Sequence, residues 1–153
     1  MILDSVFSPK TIKLNLESTE KDELFEELLE VLVSVYPSVD RTEALSAMQE
    51  RESKMSTGIM HGIAIPHGAT SSVEHIIGAI GISKHGIDYE SLDGSPVHLV
   101  FLVLYNSSET EGHLAVLKDL ATVLQDPSFM KNVIEMQSAQ DVYDLLLRYK
   151  GNL

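Results

Sequence analysis

The sequence predicts an α/β sandwich, in which a central mixed β-sheet is covered by α-helices on both faces. Two apolar segments, 75–82 and 97–105, are bounded by turn residues, and the second is β-branched, aromatic and apolar on both faces, as in a covered central strand. Segments with helical periodicity precede and follow these strands. A chain of 153 residues fits one domain with a sizeable core, so residues 1–153 are predicted to form a single domain.

The elements before the sheet follow from periodicity and capping residues. Alternating residues over 11–16 predict a short first strand. Residues 21–36 carry an apolar helical stripe, and Pro37 ends that helix. Asp40, with a glutamate three residues later, is typical of a helix N-terminus and predicts a second helix that runs to about Lys54.

Three helices are predicted after the second long strand. Ser108, with Glu111 three residues later, resembles a capping box and predicts a helix over about 109–125. Pro at a first-turn position favours a helix over about 127–137. Ser138 is a suitable cap for a last helix over about 139–149.

A segment without charge separates the second helix from the first long strand. From Met55 to Val73 there is no Asp, Glu, Lys or Arg, and this range is called the uncharged segment below. It is interpreted either as a buried turn or as a place where an anionic group approaches the backbone. Ile63–Ile65 predicts a short strand that Pro66 interrupts. His67 is therefore expected at the C-terminal end of a strand, where open α/β sheets usually bind ligands, with an exposed turn histidine as the alternative.

Two further residues are candidates from their positions on helices. His113 lies one turn inside a predicted helix, on a stripe that faces the sheet, where the helix dipole favours anions and a neutral imidazole. The alternative is a core histidine bonded to a backbone carbonyl. Arg51 and Glu52 flank the apolar face of the second helix, and helical phase leaves open which one faces inward. A buried arginine needs an anion, whereas a surface pair with Glu50 or Glu52 is the alternative.

Charge and composition exclude several classes of function. The net charge is −12, from 23 acidic and 11 basic residues. Such a field repels nucleic-acid phosphates and anionic lipids, so a nucleic-acid partner is excluded and a basic protein partner is favoured, unless the acidity serves solubility alone. No apolar run approaches the length of a membrane span and no signal peptide is visible. These features predict a cytoplasmic protein without direct membrane insertion.

No cofactor and no metal site are expected from the sequence. There are no cysteines. His61, His67 and His75 lack an intervening carboxylate and the spacing of a helical zinc pair. A metal-dependent hydrolase built on these histidines is kept as a further alternative. The uncharged segment also lacks the lysine of a nucleotide-binding Walker loop.

The motifs around the uncharged segment resemble a known family. The chain is similar to the enzyme IIA domains of the bacterial sugar phosphotransferase system, of the fructose/mannitol type, also called type 2. The resemblance covers nearly the whole chain in the family's order, with Met60 standing where many relatives have glycine. The matching stretches are Arg51-Glu52, Ser56–Ile59, Gly62–Gly68, Leu92–Gly94, the strand 97–104 and Gly112–Leu114.

The resemblance implies a phosphocarrier. In the family, a phosphorylated histidine of the protein HPr passes its phosphoryl group to a histidine of enzyme IIA, which passes it to enzyme IIB of a sugar transporter. By position, His67 matches the phosphorylated residue, His113 the second active-site histidine and Arg51 the active-site arginine. Nitrogen-regulatory enzyme IIA proteins share the motif, so the alternative is a phosphorylation-dependent regulatory module that binds a regulatory target protein.

The resemblance also accounts for the missing charge. A carboxylate near the phosphoryl oxygens would repel them, and glycines let backbone amides approach. HPr is expected to dock over the uncharged segment, with Met60 near the centre of the interface.

Overall fold

The structure is a computed structural model that describes residues 3–59 and 61–150, except for the side chain of Lys150. Along the chain, α-helices both precede and follow a run of four consecutive strands, with short 3₁₀ turns at Pro9–Thr11 and Ser107–Glu109. The elements are α1 Leu3–Val6, β1 Ile12–Lys13, α2 Lys21–Val35, α3 Arg41–Lys54, β2 Ile63–Ala64, β3 His67–Ala69, β4 Ile77–Ile87, β5 Val97–Tyr105, α4 Thr110–Leu124, α5 Pro127–Val133 and α6 Ala139–Lys150.

The strands form one mixed sheet, as predicted. β1 pairs parallel with β4, and β4 pairs antiparallel with β5. On the far side of β5, β2 and β3 follow each other along the same edge, and both run parallel to it. The sequence order of the strands therefore differs from their order in the sheet. Both short strands at the β2/β3 edge come from the uncharged segment.

Helices cover both faces of the sheet, which confirms the predicted sandwich. Alternate residues of β5 enter two separate apolar cores, because successive strand side chains point to opposite faces. One core contains residues of α1, α4, α5 and α6, and the other contains residues of α2 and α3. The β5 residues in the first core are Leu99, Phe101 and Val103, and those in the second are Val97, Val100, Leu102 and Leu104.

Three predicted helix starts can be compared with the structure. Asp40 accepts a hydrogen bond from the Glu43 amide at 3.1 Å, and Ser138 accepts one from the Asp141 amide at 3.1 Å. These two caps are confirmed. The predicted cap at Ser108 is wrong, because Asn106 accepts from the Ser108 amide and opens the 3₁₀ turn that precedes α4.

Two strands, β1 and β4, differ from their predicted lengths. β1 keeps only two of the predicted residues, since Asn15 adopts a left-handed backbone with φ 60° and breaks the strand. β4 runs past Ile82 to Ile87 through polar residues, with a register shift against β5 in between. Among the added residues, Lys84 and His85 are exposed and Gly86 is half-buried, so apolar content did not indicate a strand there, although Ser83 and Ile87 are buried. No helix in the described part of the chain is long and apolar enough to span a membrane.

Candidate functional site

His67 is the first residue of β3 and lies opposite Val103 of β5. The prediction that it lies at the C-terminal end of a strand is wrong in detail, because Ile65 and Pro66 interrupt the edge and a second strand begins at His67. Pro66 has no amide proton, but its carbonyl still accepts from the Val103 amide at 3.0 Å. The break therefore bends the edge strand without detaching it from the sheet.

The His67 ring has one nitrogen engaged and one available. Nδ1 lies 2.9 Å from the carbonyl oxygen of Ile65. Because a carbonyl only accepts hydrogen bonds, Nδ1 carries the proton and Nε2 keeps its lone pair. Burial lowers the pKa of His67 below its usual 6.5, and the charge of Arg51 lowers it further, while the Ile65 bond and Glu52 act in the opposite direction. The imidazole is thus a neutral nucleophile near pH 7.

His113 lies beside His67 and is almost fully buried, with 6% of its surface exposed. The two ring centroids are 4.9 Å apart, and the His113 ring stacks on Tyr105 at 3.8 Å. Burial, followed by the charges of His67 and Arg51, lowers its pKa to about 4. Its Nε2 is buried and has no hydrogen-bond partner among the described residues. The alternative interpretation of His113 is a core histidine bonded to a backbone carbonyl. No described carbonyl bonds this nitrogen.

Arg51 faces the same cavity as His67, whereas Glu52 faces the core. The Arg51 guanidinium is half-buried and donates from Nη1 to the Met55 carbonyl at 2.8 Å, instead of pairing with a neighbouring glutamate. The cavity has a volume of about 220 Å³. Its lining residues are Ala47, Glu50, Arg51, Lys54, His67, Gly68, Ala69 and Tyr105. The structure thus brings His67, His113 and Arg51 together from β3, α4 and α3.

The glycines of the uncharged segment serve the packing of the site. A Cβ on Gly58 would lie 2.6 Å from Ser91 Oγ, and one on Gly68 would lie 3.0 Å from the Met48 amide nitrogen of α3. Gly62 has φ +80°, a conformation that favours glycine. Packing and backbone conformation therefore require glycine at these positions even without a ligand. The approach of backbone amides to phosphoryl oxygens is not needed to explain them.

Asp93 holds the tip of the loop that precedes β2. Its carboxylate accepts from the His61 amide at 3.1 Å and from the Ser95 amide at 3.0 Å. Those bonds, led by the Ser95 amide, lower the pKa of Asp93. The turn around Asp93 therefore also supports the uncharged segment. Met60, next to His61, lies outside the described residues.

Sequence reasoning missed several contributors to the site. Tyr105 was assigned only to a strand, although its place two residues after Val103 puts it on the same face of β5. Glu52, Thr57 and Tyr89 form a buried hydrogen-bonded group next to Arg51, and only the three-dimensional contacts bring them together. Within the described ranges 3–59 and 61–150, no three His, Asp or Glu side chains are grouped so as to hold a metal ion.

A comparison with known families identifies the group to which this chain is related. Residues 5–149 match the sequence model of the family described as phosphoenolpyruvate-dependent sugar phosphotransferase system, EIIA 2. The chain belongs to this family. The resemblance inferred from the motifs of the uncharged segment is therefore confirmed.

EIIA 2 relatives of this chain include both a fructose-specific component of a phosphotransferase system and nitrogen regulatory proteins. The fructose-specific EIIABC component of Bacillus subtilis strain 168 is 40% identical over 146 residues, which are 95% of this chain and 23% of that protein. The chain thus spans about a quarter of that relative. The nitrogen regulatory protein of Bradyrhizobium diazoefficiens is 30% identical over 95% of both chains.

The fold of this EIIA 2 chain matches solved structures of the same group. Nitrogen regulatory protein IIA-Ntr from Neisseria meningitidis superposes with a TM-score of 0.88 at 29% sequence identity. The match covers 95% of this chain and 99% of that one.

Proposed function

We propose that the protein is a phosphocarrier that accepts a phosphoryl group from phospho-HPr on His67. It then passes the group to enzyme IIB of a fructose/mannitol-type sugar transport system, with residues 1–153 acting as one enzyme IIA domain in the cytoplasm. The observation that carries the proposal is the state of the His67 ring. Its Nδ1 is bonded to the Ile65 carbonyl and its Nε2 lone pair is available, in a cavity that also contains Arg51.

The bonds that form and break in the transfer involve only the two histidines that exchange the phosphoryl group. The Nε2 lone pair of His67 attacks the phosphorus of phosphohistidine in HPr and forms a new P–N bond. The old P–N bond breaks, and its electron pair returns to the HPr imidazole. Because the Ile65 carbonyl keeps the proton on Nδ1, the phosphorylated His67 ring carries positive charge and remains a good leaving group for transfer to enzyme IIB.

Arg51 and His113 supply the charge stabilisation that phosphoryl transfer requires. The Arg51 guanidinium offers donors and positive charge to the phosphoryl oxygens in the cavity. The buried Nε2 of His113 has no partner among the described residues, and a phosphoryl oxygen on His67 would give it one when Nε2 carries the proton. In this role His113 favours the phosphorylated state over the free one.

Phosphorylation by a defined mixture tests the proposal. Incubation with enzyme I, HPr and phosphoenolpyruvate should add one phosphoryl group, measured by intact mass. His67→Ala should gain none, whereas the control His75→Ala should be labelled as fully as wild type. Full labelling of the His67 variant would overturn the assignment. Loss of the label on adding enzyme IIB would then support the transport role.

A second function is favoured by the nitrogen regulatory relatives, which match over 95% of the chain. In this alternative the same phosphorylation of His67 controls binding to a regulatory target protein. Phosphorylated protein that keeps its label in the presence of enzyme IIB from the same cell, and that binds a target in only one phosphorylation state, would favour regulation over transport.

A further inference from the structure

We infer that Glu52 is a positioning residue for the site, because it fixes the turn after α3 that holds both Arg51 and His67 in place. The part of the inference that concerns the rate of phosphoryl transfer rests on the proposed function. The part that concerns the positions of Arg51 and His67 does not depend on that function. Glu52 does not touch the cavity that contains His67.

The Glu52 carboxylate binds Thr57 through both of its oxygens. Oε1 accepts from the Thr57 amide at 2.8 Å, and Oε2 accepts from the Thr57 hydroxyl at 2.6 Å. Glu52 is 9% exposed and lies in the last turn of α3, whereas Thr57 lies three residues beyond the end of that helix. Two charge-assisted bonds to one residue fix its orientation as well as its distance.

The carboxylate and its partner Thr57 are also contacted from two other parts of the chain. Lys21, the first residue of α2, places Nζ 3.4 Å from Oε1. The hydroxyl of buried Tyr89 lies 2.6 Å from the Thr57 hydroxyl. A buried carboxylate is costly unless it is paired and hydrogen-bonded, and this one is both. Four residues from separate parts of the chain thus form one rigid cluster, called the Glu52 cluster below: Lys21, Glu52, Thr57 and Tyr89.

Two short hydrogen-bond paths lead from Thr57 to the site. Along the chain, Met55 lies between α3 and Thr57, and its carbonyl accepts from Arg51 Nη1 at 2.8 Å. Across the sheet edge, the Thr57 carbonyl accepts from the Ile65 amide at 3.0 Å, and the Ile65 carbonyl holds His67 Nδ1 at 2.9 Å. A shift of Thr57 would therefore displace the partners of both Arg51 and His67.

The chain contains a matched control for this arrangement. Glu27 on α2 accepts from the Glu17 and Ser18 amides at 3.1 and 3.0 Å and pairs with Lys13 at 2.9 Å. Its chemistry is that of Glu52: a helical glutamate that binds loop amides and a hydroxyl and pairs with a lysine. It holds the loop between β1 and α2, however, and has no path of this kind to His67.

Kinetics with Glu52→Ala, Glu52→Gln and Glu27→Ala test the inference. Both alanine variants should lower the urea midpoint. Only Glu52→Ala should lower kcat for transfer from phospho-HPr, on the order of 10- to 100-fold with KM changed little, since small displacements of reacting groups have effects of this size. Glu52→Gln, which keeps an acceptor for the Thr57 amide, should restore most of the rate. If Glu52→Ala folds poorly, Thr57→Val takes its place. This variant loses the Thr57 hydroxyl but keeps the amide bond to Glu52, so it should lower kcat by less than the range of about 10- to 100-fold expected for Glu52→Ala.

The titration of His67, followed by NMR, gives a readout that does not require phosphoryl transfer. The charged or titratable groups that act on His67 or line its cavity are Glu50, Arg51, Glu52, Lys54, Tyr105 and His113. Arg51 lowers the pKa of His67 and Glu52 raises it. Both Glu52 variants lose the carboxylate charge, but only Glu52→Ala releases Arg51, so the pKa of His67 should be higher in Glu52→Ala than in Glu52→Gln.

Two outcomes separate this inference from the proposed function. If wild type is never phosphorylated, the proposed function fails, and the titration comparison still decides whether Glu52 positions Arg51. If the two Glu52 variants give the same His67 pKa, and Glu52→Ala transfers as fast as Glu27→Ala, the inference is wrong.

Discussion

His113 is held uncharged between the rings of Tyr105 and His67, and this has a consequence for stability in acid. Its pKa is about 4 in the folded protein, against about 6.5 for an exposed histidine. Between these values the unfolded chain binds a proton that the folded chain does not. The contribution of His113 to the free energy of unfolding therefore has its full value above pH 6.5, and this contribution decreases as the pH drops toward 4.

Stability should consequently decrease between pH 7 and pH 5, by about 1–2 kcal/mol from His113 after allowance for solvent screening. His67, whose pKa is also lowered, acts in the same direction. Urea unfolding at the two pH values measures the change. In His113→Gln the decrease should be clearly smaller, and an equal decrease in that variant would show that other groups are responsible.

Arg51 should affect rate far more than folding. Among the described residues its side chain bonds only the Met55 carbonyl, and Arg51 is half-buried, so Arg51→Ala should fold normally by circular dichroism. Rapid-quench transfer from phospho-HPr should be slower on the order of 100-fold or more, because a charge that stabilises the transferring group is lost. A loss of transfer rate of the same size is expected for His113→Ala.

Lys54 provides the control that separates a specific role of the Arg51 guanidinium from a general need for positive charge near the cavity. It lies in the same helical turn as Arg51 and lines the same cavity, but its side chain is exposed. Lys54→Ala should transfer at a rate close to that of wild type. An equal loss in both variants would indicate that the site needs positive potential in general, without a specific role for the guanidinium.

At the scale of elements, the close approach of α3 to β3 sets the position of Arg51. A side chain at Gly68 would meet the Met48 amide at 3.0 Å and Ala47 Cβ at 3.2 Å, both on α3. Helix backbone cannot move aside as a flexible side chain can. Any residue larger than glycine must therefore shift the helix that carries Arg51 relative to the strand that carries His67.

Gly68→Ala should accordingly be destabilised by about 1–3 kcal/mol, as is typical of overpacking, and should transfer slowly. Thermal unfolding and the phospho-HPr assay measure the two effects. Gly94→Ala is the control, since its φ of +74° costs about 1 kcal/mol while its Cβ would meet nothing within 4 Å. Equal transfer rates in the two variants would mean that the spacing of α3 and β3 does not govern the site.

Elements with strong periodicity could be predicted, whereas contacts between elements could not. The stripes of α2 and α4 and the caps Asp40 and Ser138 are local signals, and the structure agrees with them. The four-residue helix α1 has too few residues for a period. Helical phase left Arg51 and Glu52 equivalent, because each flanks the apolar face, and only the partners Thr57 and Lys21 turn Glu52 inward.

For the molecule as a whole, the charge of −12 bears on how a partner arrives. The expected docking surface is the uncharged segment, and exposed apolar side chains of Met55 and Leu114 lie near the site residues in the chain. Met60, the expected centre, lies outside the described residues. An acidic molecule around an apolar surface attracts a basic partner over distances that added salt shortens.

The association rate with HPr should therefore fall as salt rises from 0.1 to 1 M, where the Debye length shrinks from about 10 to about 3 Å. The dissociation rate should change less, since short-range contacts determine it. Stopped-flow measurements across a salt series test this. An association rate indifferent to salt would assign the charge to solubility alone, and NMR shifts confined to α6 would place the docking site elsewhere.

The sheet is closed at both edges to strand addition by another chain. β1 offers only two residues, one of them Lys13, and short charged edges discourage pairing. At the other edge, residues 57–59 already bond β2 through the Ile59 and Ile65 amides, Pro66 lacks an amide proton, and α3 lies against Gly68. Partner binding by strand addition is therefore disfavoured at both edges. For the proposed phosphocarrier, this means that neither donor nor acceptor would be held through an extended ladder of backbone hydrogen bonds, which favours rapid release of each partner.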